Sequence, residues 1–161
     1  MSNDKNQAII DFLLQCPQIQ SNPLFFNFLN AKDNNKQMLT VANDVSTNTP
    51  FVDGSVQKRY TFTIVDFKSL VYQAIPKAEG LVNENVDDLS QVQAILDWVN
   101  EQADLRNFPN FGETCFIDDM KTLSNYPILN GVDTSVTPAL AKYSMSIQID
   151  YIDTSKVDWN K

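Results

Sequence analysis

Polar and apolar positions alternate most regularly near the end of the chain, in Tyr143-Ser144-Met145-Ser146-Ile147-Gln148-Ile149-Asp150-Tyr151. Every odd position there is large and apolar or aromatic, and every even one is polar. That is the period of a strand with one dry face and one wet face, and it points to an antiparallel, half-exposed sheet. The segment from Arg59 to Phe67 repeats the pattern, with Tyr60, Phe62 and Ile64 on one face and Thr61 and Thr63 on the other.

The period becomes helical in two places. Asn3 or Asp4 can cap a helix whose apolar face carries Ala8, Ile9, Phe12 and Leu13, and Pro17 is expected to end it. A longer helix is predicted from Leu89 to Ala103, capped by Asp87 or Asp88. Its stripe is Val92, Ile95, Leu96 and Val99, widened by Trp98, and Pro109 lies just past its end.

Shorter signals fill the remainder. Leu24 to Leu29 reads as a strand, Asp33-Asn34-Asn35 as a turn and Gln37 to Ala42 as a returning strand, so 24–42 is predicted to be a hairpin. Residues 77–87 read as a connection. Thr114 to Ile117 begins a strand that runs on irregularly toward Leu123. Asn125-Tyr126-Pro127 and Asn130-Gly131 read as a turn-rich crossing before the last strand. The order is α-β-β-β-α-β-β, an α+β fold in which an antiparallel sheet of about five strands packs against two helices. All 161 residues are expected to form one domain, with the core over about 4–152 and a polar tail over 153–161.

Composition narrows the function classes. A hydrophobic fraction of 43% with 20% charged residues is that of a globular chain with an ordinary core, not a disordered one. No run approaches the ~18 apolar residues of a membrane span. Met1-Ser2-Asn3-Asp4-Lys5 lacks a signal-peptide layout, so the expected site of synthesis and retention is the cytoplasm. Cys16 and Cys115 are expected to be reduced, buried thiols rather than a disulfide. The net charge of −8 argues against gripping nucleic acid through its phosphates.

Little catalytic chemistry is on offer. The chain has no histidine, which removes the commonest general base and zinc ligand. Cys115, next to Phe116 and Ile117, reads as a strand thiol and not a nucleophile. Asp87-Asp88 reads as a helix cap and Asp118-Asp119 as a solvated turn, with no calcium-loop spacing around it. The four glycines, at 54, 80, 112 and 131, are too dispersed to cradle a phosphate. Lys58, Arg59 and Lys142 are scattered cations suited to edge protection or solvation. Tyr60, Tyr143 and Tyr151 suit a cross-strand core ladder better than a base-stacking platform. The expectation is a protein with no catalytic residue, no cofactor and no metal, which works by presenting a shape to other proteins.

The order of several motifs resembles a known family. A first helix ends in Leu14-Gln15-Cys16-Pro17, and Asp53-Gly54-Ser55 precedes the strand Arg59-Tyr60-Thr61-Phe62. A helix carrying Trp98-Val99-Asn100-Glu101-Gln102 runs into Asn107-Phe108-Pro109, and a last strand spans Ala141 to Tyr151. In this the chain resembles the minor-capsid-type, tail-terminator (tail-completion) proteins of phages and prophages of Gram-positive bacteria. The resemblance implies a virion protein of the tail and neck, assembled in the host cytoplasm. Its implied partners are further copies in a homo-hexameric ring, the tail tube protein and the head completion or stopper protein. DNA would pass the lumen without specific binding, and no membrane is involved. A head-completion or connector protein, a tail-assembly chaperone and, more remotely, a binding module unrelated to phage stay open as alternatives. The long polar loop 43–55 is the candidate subunit interface, through Asp44, Thr47, Asn48, Thr49, Phe51 and Val52.

Overall fold

The computed structural model describes residues 4–20, 24–27, 36–40, 48–70 and 84–160. Two strands of 14 residues each, Val56–Ser69 and Leu140–Asp153, form the centre of the sheet. They pair antiparallel along their full length, from Val56 opposite Asp153 to Ser69 opposite Leu140. Because side chains alternate, that ladder has two faces of opposite character. One carries Tyr60, Phe62 and Ile64 beside Ile149, Ile147 and Met145. The other carries Arg59, Thr61 and Thr63 beside Asp150, Gln148 and Ser146. The alternation read from the sequence is therefore present, and both strands extend beyond the predicted ends.

In chain order the elements are α1 (Lys5–Leu13), α2 (Pro17–Gln20), β1 (Leu24–Phe26), β2 (Lys36–Thr40), β3 (Thr49–Pro50), β4 (Val56–Ser69), α3 (Glu84–Asp104), β5 (Cys115–Thr122), β6 (Ile128–Asp133) and β7 (Leu140–Asp153). The fold is α+β. Strand order along the main path is β1-β2-β4-β7-β5, with β3 also pairing β4 and β6 also pairing β7. Each long strand thus has two short strands on its outer side. β3 and β2 follow one another along β4, and β5 and β6 along β7.

The helices cover the apolar face. Asp4 caps α1, its Oδ1 accepting from the Asn6 N–H at 2.9 Å. Ile9, Phe12 and Leu13 of α1, Cys16, and Ile19 of α2 are buried with Val92, Ile95, Leu96 and Val99 of α3 against the sheet. Phe12 and Trp98 bring α1 and α3 together with ring centroids 5.0 Å apart. The Tyr60 hydroxyl donates to Asn6 Oδ1, tying α1 to β4. Burial, with the Asp4 carboxylate as a smaller contribution, pushes the Tyr60 phenol up to about 12. At the far end of the ladder Lys68 donates to Gln91 Oε1 of α3 at 3.2 Å.

Several expectations are corrected. β1 runs parallel to β2, with Leu24 opposite Lys36 and Phe26 opposite Met38, so 24–42 is no hairpin. Apolar runs report burial but not strand direction, which is why the pattern misled. Phe28, Leu29, the 33–35 turn, Val41, Ala42 and the connection 77–83 lie outside the described residues. Pro17 opens α2 at its first position, where a missing N–H costs nothing, and α1 has already ended at Leu13. α3 starts at Glu84, so Asp87 and Asp88 sit in its first turns and are not its cap.

The 125–131 crossing contains β6, and Asn130-Gly131 marks an irregularity in its pairing between Leu129 and Val132. Asp118 and Asp119 are exposed on β5 at its own bulge, between Ile117 and Asp119, not on a turn. Cys16 is buried but Cys115 only half-buried, and neither is in a disulfide. Lys58 and Arg59 lie on a central strand, where they pair with Asp153 and Asp150 across β7, each at 2.8 Å. Tyr60, Tyr143 and Tyr151 share the helix-covered face but do not oppose one another. Phe111 links two of them, 6.0 Å from Tyr60 and 5.3 Å from Tyr151.

Candidate functional site

β3 and β4 close a short hairpin, with Thr49 opposite Gln57 and Pro50 opposite Val56. Proline fits there because β3 is a two-residue edge strand that pairs only with β4 among the described strands. The Phe51 N–H donates to the Ser55 carbonyl at 2.8 Å, and the Gly54 N–H to the Phe51 carbonyl at 3.2 Å. Asp53 Oδ1 accepts from both the N–H and the hydroxyl of Ser55, at 2.9 and 2.6 Å. Those bonds hold the Asp53 carboxyl below its ordinary value, so it is ionised at neutral pH. Gly54 has φ +90°, and a Cβ there would lie 3.2 Å from the Lys156 carbonyl oxygen. Only glycine lets the turn close against the chain that follows β7.

The tip so fixed presents hydrophobic side chains to water. Phe51 is 45% exposed and Val52 109% exposed. Fully burying side chains of this size is worth roughly 1.5–3 kcal/mol each, and the described chain supplies no such cover. Below the tip, a cavity of about 350 Å³ is lined by Pro50, Gly54, Val56, Lys58 and Asp153, among others.

The ion pair at the base of the tip titrates from the acidic side. Hydrogen bonds from Lys58, then from Ser155, hold the Asp153 carboxyl well below the usual carboxylate range. Lys58 is raised by its bond to Asp153, against desolvation. The aspartate shifts further because Ser155 adds to Lys58 on that side alone. A depressed carboxyl stabilises the fold above its unfolded value of about 3.9 and loses that contribution as pH falls through the folded value. The raised lysine contributes below its unfolded value of about 10.4 and loses this as pH rises through the folded one. The side chains are 35% and 17% exposed, so solvent screening limits the pair to about 1 kcal/mol or less. Asp153→Asn keeps an acceptor for Ser155 and removes the charge. In urea titrations it is expected to be destabilised by that amount at pH 7, with the difference closing only at pH values below the ordinary carboxylate range. A difference unchanged down to the lowest pH would rule out the charge as its source.

Of the residues singled out for an interface, Asn48, Thr49, Phe51 and Val52 come together on this tip. Asp44 and Thr47 lie outside the described residues.

A second exposed apolar region lies at the diagonally opposite corner of the sheet, where β6 flanks the start of β7. Ile128 is 56% exposed, Leu129 53%, Val132 43% and Val136 40%, and Leu123 and Tyr126 just before them are exposed as well. A groove of about 360 Å³ opens there, lined by Phe67, Gly131, Val132, Asp133, Leu140 and Lys142. Phe67 and Leu140 in its lining belong, with Val65, to a small buried cluster on the side of the sheet away from the helices, whereas Leu129 and Val132 pair with Tyr143 and Ala141 and share the helix-covered face. Sequence reasoning missed this corner because Asn130-Gly131 suggested a turn. The available signal was the unusual density of large apolar residues among turn formers over 123–136.

The helix layer has another character. Asp87, Asp97, Glu101 and Asp104 of α3 are exposed, and the helix has no lysine or arginine. Its exposed side is an acidic ridge that would repel phosphate.

Among the described residues, no three His, Cys, Asp or Glu side chains converge to hold a metal ion, and no helix is long and apolar enough to cross a membrane. Compared with known protein families and with curated proteins, the chain matches none.

Proposed function

We propose that this chain is a structural virion protein, a tail terminator. In this reading copies assemble as a six-fold ring on the last ring of tail tube protein, stop its polymerisation and offer a docking face to the head completion complex. It does no chemistry and takes no cofactor. The observation that carries the reading is the hairpin tip, where turn hydrogen bonds and a glycine contact hold Phe51 and Val52 out in water. An apolar knob fixed in that way is unfavourable for an isolated chain and favourable for one that docks on another protein. The ordered motifs that resemble tail-completion proteins supply the setting, and the acidic ridge of α3 suits a particle through which DNA must slide without sticking.

Tail length tests the proposal. Electron micrographs of lysates from a phage lacking this gene are expected to show overlong, irregular tubes without heads. Tails of normal length beside separate DNA-filled heads would move the protein to the head side of the joint. Intact infectious particles would overturn the reading.

A further inference from the structure

We infer that Asn130 is a site of spontaneous modification in the folded protein, its side-chain amide lost to attack by the main-chain nitrogen of Gly131. The reaction is a deamidation through a cyclic imide, and its co-reactant is water.

The strand ladder leaves this dipeptide free to react. β6 pairs with β7 at Leu129–Tyr143 and again at Val132–Ala141, so Asn130 and Gly131 bulge out with one residue, Lys142, opposite the two. Ring closure needs a main-chain nitrogen that is not committed to a regular ladder. β6 pairs only with β7 among the described strands, so no further described strand covers its other edge. Both residues of the dipeptide are exposed. Gly131 has φ +134°, and a Cβ there would meet nothing within 4 Å. Neither a side chain nor a neighbour therefore obstructs the approach of its nitrogen.

The Gly131 nitrogen bonds to Asn130 Cγ as its proton leaves, and the Cγ–Nδ2 bond breaks to release ammonia. Water then opens the imide at either carbonyl. One opening gives aspartate in an ordinary chain, and the other gives isoaspartate, in which the main chain runs through the former side-chain carbon. Lys142 lines the same groove as Gly131. Its ammonium favours both the attacking nitrogen anion and the carboxylate that results.

A second dipeptide of the same kind is protected. Asp53-Gly54 is the other place where Asp or Asn precedes glycine. There the Gly54 N–H donates to the Phe51 carbonyl at 3.2 Å, and Asp53 Oδ1 is engaged by Ser55. A committed nitrogen facing an ionised carboxylate cyclises slowly. Modification at Asn130 makes the chain one unit more negative than its formal −8. The isoaspartyl form also lengthens the main chain by one carbon where the ladder already absorbs an extra residue, so the fold is kept.

Ageing of the purified protein tests the site. Native and urea-unfolded samples are held at mildly alkaline pH, digested and followed by peptide mass spectrometry. Isoaspartate in the digests is counted by enzymatic methylation with S-adenosylmethionine. Exposed, unpaired segments open at little cost, so Asn130 is expected to convert in the native protein within about tenfold of its unfolded rate. Isoaspartate at Asp53 should form at least tenfold more slowly in the native sample than in the unfolded one. Asn130→Gln, which would have to close a larger ring, should remove the methyl-accepting site from the native protein and leave the far-ultraviolet spectrum unchanged. Conversion of Asn130 confined to the unfolded sample would overturn the site. Equal rates at Asp53 in the two samples would overturn the geometric account of it.

Discussion

Phe62→Ala is expected to cost about 3–5 kcal/mol of folding stability, a large part of the ~5–15 kcal/mol that a domain possesses. Phe62 is fully buried in the middle of β4, opposite Ile147 and beneath the helices. Its removal leaves a cavity that neighbouring strands, paired on both sides, cannot collapse to fill. At roughly 2–4 °C per kcal/mol for a chain of this size, the melting temperature should fall by about 6–20 °C. Thr61→Ala, one residue away on the opposite face, should change stability by no more than about 0.5 kcal/mol. Equal losses in the two variants would mean that the faces of β4 are assigned wrongly.

Removing residues 45–52 is expected to have the converse effect, a complete loss of assembly with the fold kept. The described sheet loses only the two pairs between β3 and β4, a cost of about 1–2 kcal/mol in hydrogen bonding. What disappears is Phe51 and Val52, the apolar part of the tip. The deleted protein should therefore melt cooperatively near the wild-type temperature and yet fail to complement a phage lacking the gene. Normal particles from the deletion variant would remove the tip from the assembly mechanism.

How much of this was legible in the sequence depends on what a side-chain pattern can encode. β4 and β7 were readable because each has one face under helices and one without, and burial writes that difference as a period of two. The stripe of α3 was readable for the same reason, and Val92, Ile95, Leu96 and Val99 are all fully buried. β6 was not readable. Ile128, Leu129 and Val132 are exposed whichever way they point, so no alternation marks them. The direction of β1 relative to β2 was invisible because pairing direction resides in backbone hydrogen bonds, which side-chain polarity does not report. The candidate site was half legible. Loop length drew attention to Phe51 and Val52, whereas the opposite corner needed the register of β6 on β7 to be recognised as a groove.

The full-length pairing of β4 with β7 has a mechanical consequence. Force applied at the tip enters β4 at Val56, and force applied at the β6 corner leaves through the start of β7 at Leu140, the opposite end of the same ladder. The hydrogen bonds run across the strands, so tension between those two corners loads the ladder in shear. All fourteen residue pairs then share the load, instead of opening one after another as they would if both forces acted at one end. A chain pulled between these corners would hold until the ladder gave way as a whole.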